Sequence, residues 1–149
     1  MNSLHTKLNE YAAKCDEILL SEHLKALVEE AVKETPQLSA DELVIDDNTI
    51  LLDVREPEEF ASGYIEGKNV LTIPRGKLEF TAIDKIAKVY GQDVKIIVYC
   101  LKGPRGALAA SQLKKMGFTN VSNLKGGLIA WLESGRNIKN YLGELKLVR

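Results

Sequence analysis

The chain has 149 residues, 45% of them apolar and 28% charged, the balance of one folded domain with an appendage rather than of two full domains, since single cores commonly use ~100 to 150 residues. Its formal net charge is −1, with lysines and arginines interleaved among acids, which removes nucleic acid as an expected partner. The charge is uneven: residues 1–35 hold four Lys against seven Asp and Glu, whereas residues 36–149 hold sixteen Lys and Arg against fourteen acids, so the larger part mildly favours anionic substrates.

Residues 3–34 read as helix. Leu4, Leu8, Tyr11, Cys15 and Ile18 recur at helical steps along one face, and Leu20, Leu24, Leu27 and Ala31 continue the stripe on another, so two helices or one kinked helix are expected, with Ser21 as a cap for the second. Thr35-Pro36 ends this extension, which is taken as residues 1–35, with the main domain at 36–149. Such a stripe can pack on the main domain or on a second copy of the chain, so a homodimer through the N-terminal helices is one expectation. Cys15 reads as a small buried apolar residue of that stripe.

After Pro36 the pattern alternates. Ser39-Ala40-Asp41-Glu42 matches a capping box opening a short helix. Thr49–Val54, Val70–Ile73, Val94–Tyr99 and Asn120–Ser122 read as strands, rich in β-branched residues and bounded by turn formers. Helices are expected at about 57–62, 78–90, 105–116 and 127–134, with Ile83, Ile86 and Val89 helically spaced in the second. Continuous apolar strands alternating with helices argue for an α/β fold with a central, mainly parallel sheet flanked by helices. Gly126-Gly127 permits a tight turn into the last helix, and Trp131 packs the face of that helix.

Ligand sites in such sheets form at the carboxyl ends of the strands, and there the run Val94 to Tyr99 enters Cys100-Leu101-Lys102-Gly103-Pro104-Arg105-Gly106. The N–H groups of a tight loop and the positive end of the following helix favour an anion at the loop's centre, so Cys100 is the candidate nucleophile. That field, with Lys102 and Arg105 close in sequence, is expected to lower its pKa below the ~8.5 of a free thiol. The two cysteines are far apart, and His5 and His23 lie in the N-terminal extension without metal-ligand spacing; neither a metal, a disulfide nor a catalytic histidine is expected. No run of ~18 apolar residues and no basic-then-apolar leader occurs, so neither a membrane span nor an uncleaved signal peptide is expected, and the cytoplasm is the default location, with export open to a chain whose signal has been removed.

Residues 36–135 resemble the rhodanese family of single-domain sulfurtransferases. The resemblance is carried, in order, by Leu52-Asp53-Val54-Arg55-Glu56-Pro57-x-Glu59-Phe60, by Gly63-Tyr64-Ile65-x-Gly67, by the Cys100 loop, and by Gly117-Phe118-x-x-Val121 through Gly126-Gly127-x-x-x-Trp131. Arg75-Gly76-Lys77-Leu78-Glu79 is similar to the polysulfide-transferring members. Three positions depart from the family: Tyr64 stands where histidine is usual, Gly106 where serine follows the loop arginine, and Pro104 brings no N–H into the loop. The Tyr64 hydroxyl is expected to be able to donate to Asp53.

The resemblance implies that a Cys100 thiolate takes a sulfane sulfur from a small anionic donor, thiosulfate or polysulfide, and passes it from the persulfide to cyanide, a thiol or a protein acceptor, without a cofactor. Arg105 is then the anion clamp and Lys102 a looser charge, with the N–H groups of Leu101, Lys102, Gly103 and Arg105 lining the loop. Arg55 and Arg75 are expected near the same mouth or in surface ion pairs. Two alternatives are a rhodanese-like module that binds a protein partner and a dedicated persulfide carrier without general turnover. A cysteine-dependent phosphatase or arsenate reductase is the enzymatic rival, but such enzymes resemble C-x5-R, whereas Cys100 and Arg105 enclose four residues, a smaller cradle that suits sulfur better than phosphate.

Overall fold

The computed structural model describes residues 22–140 and 143–145; the expected helix over 3–21, its Ser21 cap, Cys15 and His5 lie outside the described residues. The elements in chain order are α1 (Glu22–Glu34), β1 (Gln37–Leu38), a 3-10 turn (Ala40–Glu42), β2 (Ile50–Asp53), α2 (Pro57–Ser62) and β3 (Asn69–Thr72). There follow a 3-10 turn (Arg75–Lys77), α3 (Leu78–Ala82), a π turn (Ile83–Ala87), α4 (Lys88–Tyr90), β4 (Ile96–Tyr99), α5 (Pro104–Lys115), β5 (Val121–Leu124), α6 (Gly127–Glu133), β6 (Ile138–Asn140) and β7 (Gly143–Leu145).

Five strands form one sheet in the order β1-β5-β4-β2-β3, and every neighbouring pair is parallel. All four residues of β2 and of β4 are buried, as expected of central strands covered on both faces, which therefore read as unbroken apolar runs. Their side chains alternate between two cores. Ile50, Leu52, Ile96, Val98 and Cys100 join the core under α3 and α5, with Leu78, Ala82, Ile86, Ala109, Ala110 and Leu113. Leu51, Ile97 and Tyr99 face the opposite core, with Leu124, Leu128 and Ile138, against which Trp131 packs. The same alternation puts Cys100 and Tyr99 on opposite faces, which decides the layout of the site.

α1 lies against α5. Ala31 is buried there, and Ser111 Oγ and Lys114 Nζ reach the Glu34 side chain and carbonyl. His23 is exposed on this helix.

Helix α2 falls at 57–62 as expected, the other boundaries differ from the sequence expectations by at most two residues, and three features depart further. The stretch 78–90 is interrupted by the π turn, which shifts the inward face to Leu78, Ala82 and Ile86 and leaves Ile83 and Val89 48% and 67% exposed, because one extra residue per turn rotates everything after it. β1 is two residues long, and the antiparallel pair β6–β7 follows the last helix; both are too short for a periodic signal. The capping residue Glu42 accepts the Ser39 N–H at 3.0 Å, but the helix it opens is a single 3-10 turn.

Candidate active site

Cys100 follows β4 directly and is 1% exposed. Its Sγ accepts the Gly103 N–H at 3.1 Å. Gly103 has φ +115° and ψ −38°, a conformation costly for any residue with a Cβ, and this turns its N–H back onto the sulfur. The carbonyls of Cys100 and Leu101 point the other way, accepting the N–H groups of Leu128 at 2.9 Å and Ile129 at 3.1 Å from the first turn of α6. In a trans peptide the N–H opposes the C=O, so the N–H groups of Leu101 and Lys102 face away from α6. The Leu101 side chain packs into the core beneath α6, while Lys102 is exposed on the rim of the loop.

Pro104 occupies the first position of α5, where a helix makes no use of the N–H and the fixed φ suits entry. The lost amide therefore costs the helix nothing and stiffens the loop. Gly126-Gly127 makes the turn into α6, as expected.

Arg105, on the first turn of α5, is half-buried and doubly bonded to Glu59 of α2, Nη1 to Oε1 at 2.7 Å and Nη2 to Oε2 at 3.0 Å. Glu59 Oε1 also accepts the Glu56 N–H at 3.2 Å. Burial opposes ionisation of Glu59, but hydrogen bonds from Arg105 and from the Glu56 N–H outweigh it and hold its carboxyl below the usual range. The bonds to Glu59 likewise raise the Arg105 guanidinium above its ordinary value against the pull of burial, with the Glu59 charge adding to them.

Arg55 is placed elsewhere. It is 1% exposed; its Nε and Nη2 are on Asp53, Nη2 to Oδ2 at 2.6 Å, and Nη2 also reaches the Gly63 carbonyl. Its guanidinium carbon stands 5.8 Å from the Tyr99 ring centroid, on the face opposite Cys100, so the structure gives it neither a mouth position nor a surface pair. Asp53 takes this guanidinium and the Arg55 N–H, where a Tyr64 hydroxyl was expected; Tyr64 instead stacks on Phe60, centroids 4.5 Å apart. Burial and the neighbouring Asp53 push the Tyr99 phenol up, and its oxygen accepts the Ile65 N–H at 3.1 Å. Arg75 sits in the turn after β3, 31% exposed and paired with Glu79 at 3.0 Å.

Sequence reasoning passed over the partner of Arg105, although Glu59 stands in the quoted D-V-R-x-x-x-E-F run. It also passed over Asn123, a residue type depleted in strands and here buried at 1% exposure in β5.

The family model described as rhodanese-like domain matches residues 37–134. Thiosulfate sulfurtransferase 16, chloroplastic, of Arabidopsis thaliana is 37% identical over 89 residues, 56% of this chain and 74% of that protein. Among solved structures, the polysulfide-sulfur transferase homodimer of Wolinella succinogenes superposes with a TM-score of 0.63 at 31% identity, covering 84% of this chain and 88% of that one. A protein of unknown function from Rhodopseudomonas palustris, described as a possible tyrosine phosphatase, superposes with a TM-score of 0.67 at 28% identity, covering 80% of this chain and 96% of that one.

Proposed function

Because the chain belongs to the rhodanese-like domain family, with sulfurtransferases among its relatives, we propose that it moves a sulfane sulfur through a persulfide on Cys100. The observation that carries this reading is the Gly103 N–H on the Cys100 sulfur at 3.1 Å, a fixed donor aimed at the atom that holds the negative charge of the thiolate, both before sulfur is taken up and after it is passed on. In the first half-reaction the Cys100 thiolate attacks the outer sulfur of thiosulfate or polysulfide. The new S–S bond forms as the old one breaks, and sulfite or a shortened polysulfide leaves with the electron pair. In the second, cyanide, a thiol or a protein cysteine attacks the outer sulfur of the persulfide and restores the thiolate.

Arg105 supplies the guanidinium fork for the donor's anionic end, with Lys102 adding charge at the rim. Loop N–H groups from Leu101, Lys102 and Gly103 meet the charge that shifts between sulfurs. Arg75 lies in the turn beyond β3 and serves a long polysulfide better than a compact donor. Arg55 acts as framework. The phosphatase-described neighbour does not change the reading, because four residues between Cys100 and Arg105 make a smaller cradle than the five of phosphatase loops.

Intact mass of the reduced protein after thiosulfate or polysulfide, then cyanide, tests the reading, with Cys100→Ser alongside. One added sulfur on the wild type alone, released by cyanide as thiocyanate, is the expected result and ranks the donors. No added sulfur from either donor on demonstrably reduced Cys100 overturns it in favour of a protein-binding module. We also propose that residues 1–35 form a helical extension to a catalytic domain at 36–149, and that the extension joins two copies; sedimentation of the full chain as a monomer at all concentrations would remove the dimer.

A further inference from the structure

Asn123 is a buried polar side chain that the proposed chemistry leaves without a part. Its Nδ2 donates to Gln37 Oε1 at 2.8 Å and to the Gly103 carbonyl at 3.2 Å. The partners fix the orientation of the amide. Gln37 spends its own Nε2 on the Thr35 carbonyl and hydroxyl, at 3.2 and 3.0 Å, so an oxygen faces Asn123, and Gly103 offers only a carbonyl. A flipped amide would set Oδ1 against two oxygens.

That orientation leaves Asn123 Oδ1 buried without a hydrogen-bond partner, an unfavourable state that folded chains seldom keep. Oδ1 sits against Gly106, where a Cβ would lie 2.2 Å from it and 3.4 Å from the Cys100 nitrogen. Asn123 thus fills the space any side chain at 106 would need, and the glycine in place of the family's serine is what admits it. The Gly103 carbonyl also accepts the Ala107 N–H at 2.9 Å. Both its lone pairs are used, and residue 103 is held in the conformation that aims its N–H at Cys100.

We propose that Asn123 is a positioning residue for the nucleophile: oriented by Gln37, it pins the Gly103 carbonyl so that the Gly103 N–H stays on the Cys100 sulfur. This rests on the reading of Cys100 as the sulfur carrier. The bonds run without a break from Thr35, just past the end of α1, through Gln37 on β1 and Asn123 on β5 to the loop.

The test uses the full chain and two readouts. Iodoacetamide alkylation with peptide-resolved mass reports Cys100 reactivity with no sulfur donor present, and single-turnover persulfide formation from thiosulfate reports the reaction. Asn123→Leu keeps the volume and removes the donor, and is expected to slow both on the order of tenfold while the cooperative melt persists; Gln37→Leu slows both less. Asn123→Asp presents an acceptor to Gly103 when ionised and an O–H donor when protonated. Its rates relative to wild type are therefore expected to climb as pH falls from about 8 to 5, the range in which a buried carboxyl protonates. Wild-type rates for Asn123→Leu, or a pH-independent ratio for Asn123→Asp, would overturn the proposal; should Asn123→Leu not fold, the Asn123→Asp ratio decides. If wild type takes sulfur from no donor while alkylation still follows the Asn123 variants, the sulfur-carrier reading fails and the positioning role stands.

Discussion

Two arginine–carboxylate pairs flank the end of the central strands, and they differ in nearly everything but chemistry. Arg55–Asp53 joins residues two apart, with side chains 2% and 0% exposed; Arg105–Glu59 joins residues 46 apart, with side chains 39% and 28% exposed. Burial makes the first pair a fixture. Neither ion can be left without the other, because an unpaired charge in the interior has no solvent to replace its partner. The second pair borders water, and the proposed reading needs its guanidinium to exchange the carboxylate for an incoming anion, which a part-exposed pair allows at lower cost than a buried one. One motif thus contributes a buried arginine, and the loop contributes a part-exposed one.

The comparison breaks most visibly if the buried pair is opened. Arg55→Met leaves Asp53 buried and unpaired and is expected to cost about 3–5 kcal/mol of stability in urea unfolding. Loss below about 1 kcal/mol would show that water or a rearranged side chain reaches Asp53, and the contrast with Arg105 would fall.

Arg105→Ala is the mirror experiment. Thiosulfate turnover is expected to drop about a hundredfold in kcat/KM, while stability at pH 7 changes by no more than about 1 kcal/mol. The small stability difference has a defined pH window. Glu59 is held below its ordinary value in the folded protein, so its contribution is present above the unfolded carboxyl pKa of about 4.3 and is lost as pH falls through the folded value. Wild type and Arg105→Ala should therefore converge in stability toward acid pH. A gap that persists in acid, or turnover near wild type, would mean that the guanidinium is structural like Arg55 and does not meet the donor.

Much of this arrangement is legible in the sequence. Thr49–Val54 and Val94–Tyr99 read as strands because central parallel strands need an unbroken apolar run, and the place of Cys100, directly after that run and before a Gly/Pro loop that opens a helix carrying Arg105 in its first turn, is also readable from the residues. The placement of Arg55 is not: its position after a strand end and beside Glu56, Glu58 and Glu59 leaves both the loop mouth and a surface pair open, whereas its partner is Asp53, two residues back, in the interior. Glu59 as the partner of Arg105 and Gln37 as the partner of Asn123 join elements far apart in sequence, and no local periodicity encodes them.

What the sequence determined by itself is what local physical chemistry determines: alternation of strand and helix, hence a parallel sheet, and at its carboxyl edge a cysteine entering a loop whose glycine and proline leave few backbone choices. The tertiary structure decided which charges are spent on one another. The pleat puts Tyr99 and the Arg55–Asp53 pair on the face opposite Cys100, helix α2 brings Glu59 to Arg105, and strand β5 sets Asn123 into the gap above Gly106. Those outcomes depend on distances between elements remote in the chain. Only packing sets such distances, and they separate the arginine whose partner is buried from the one whose partner borders water.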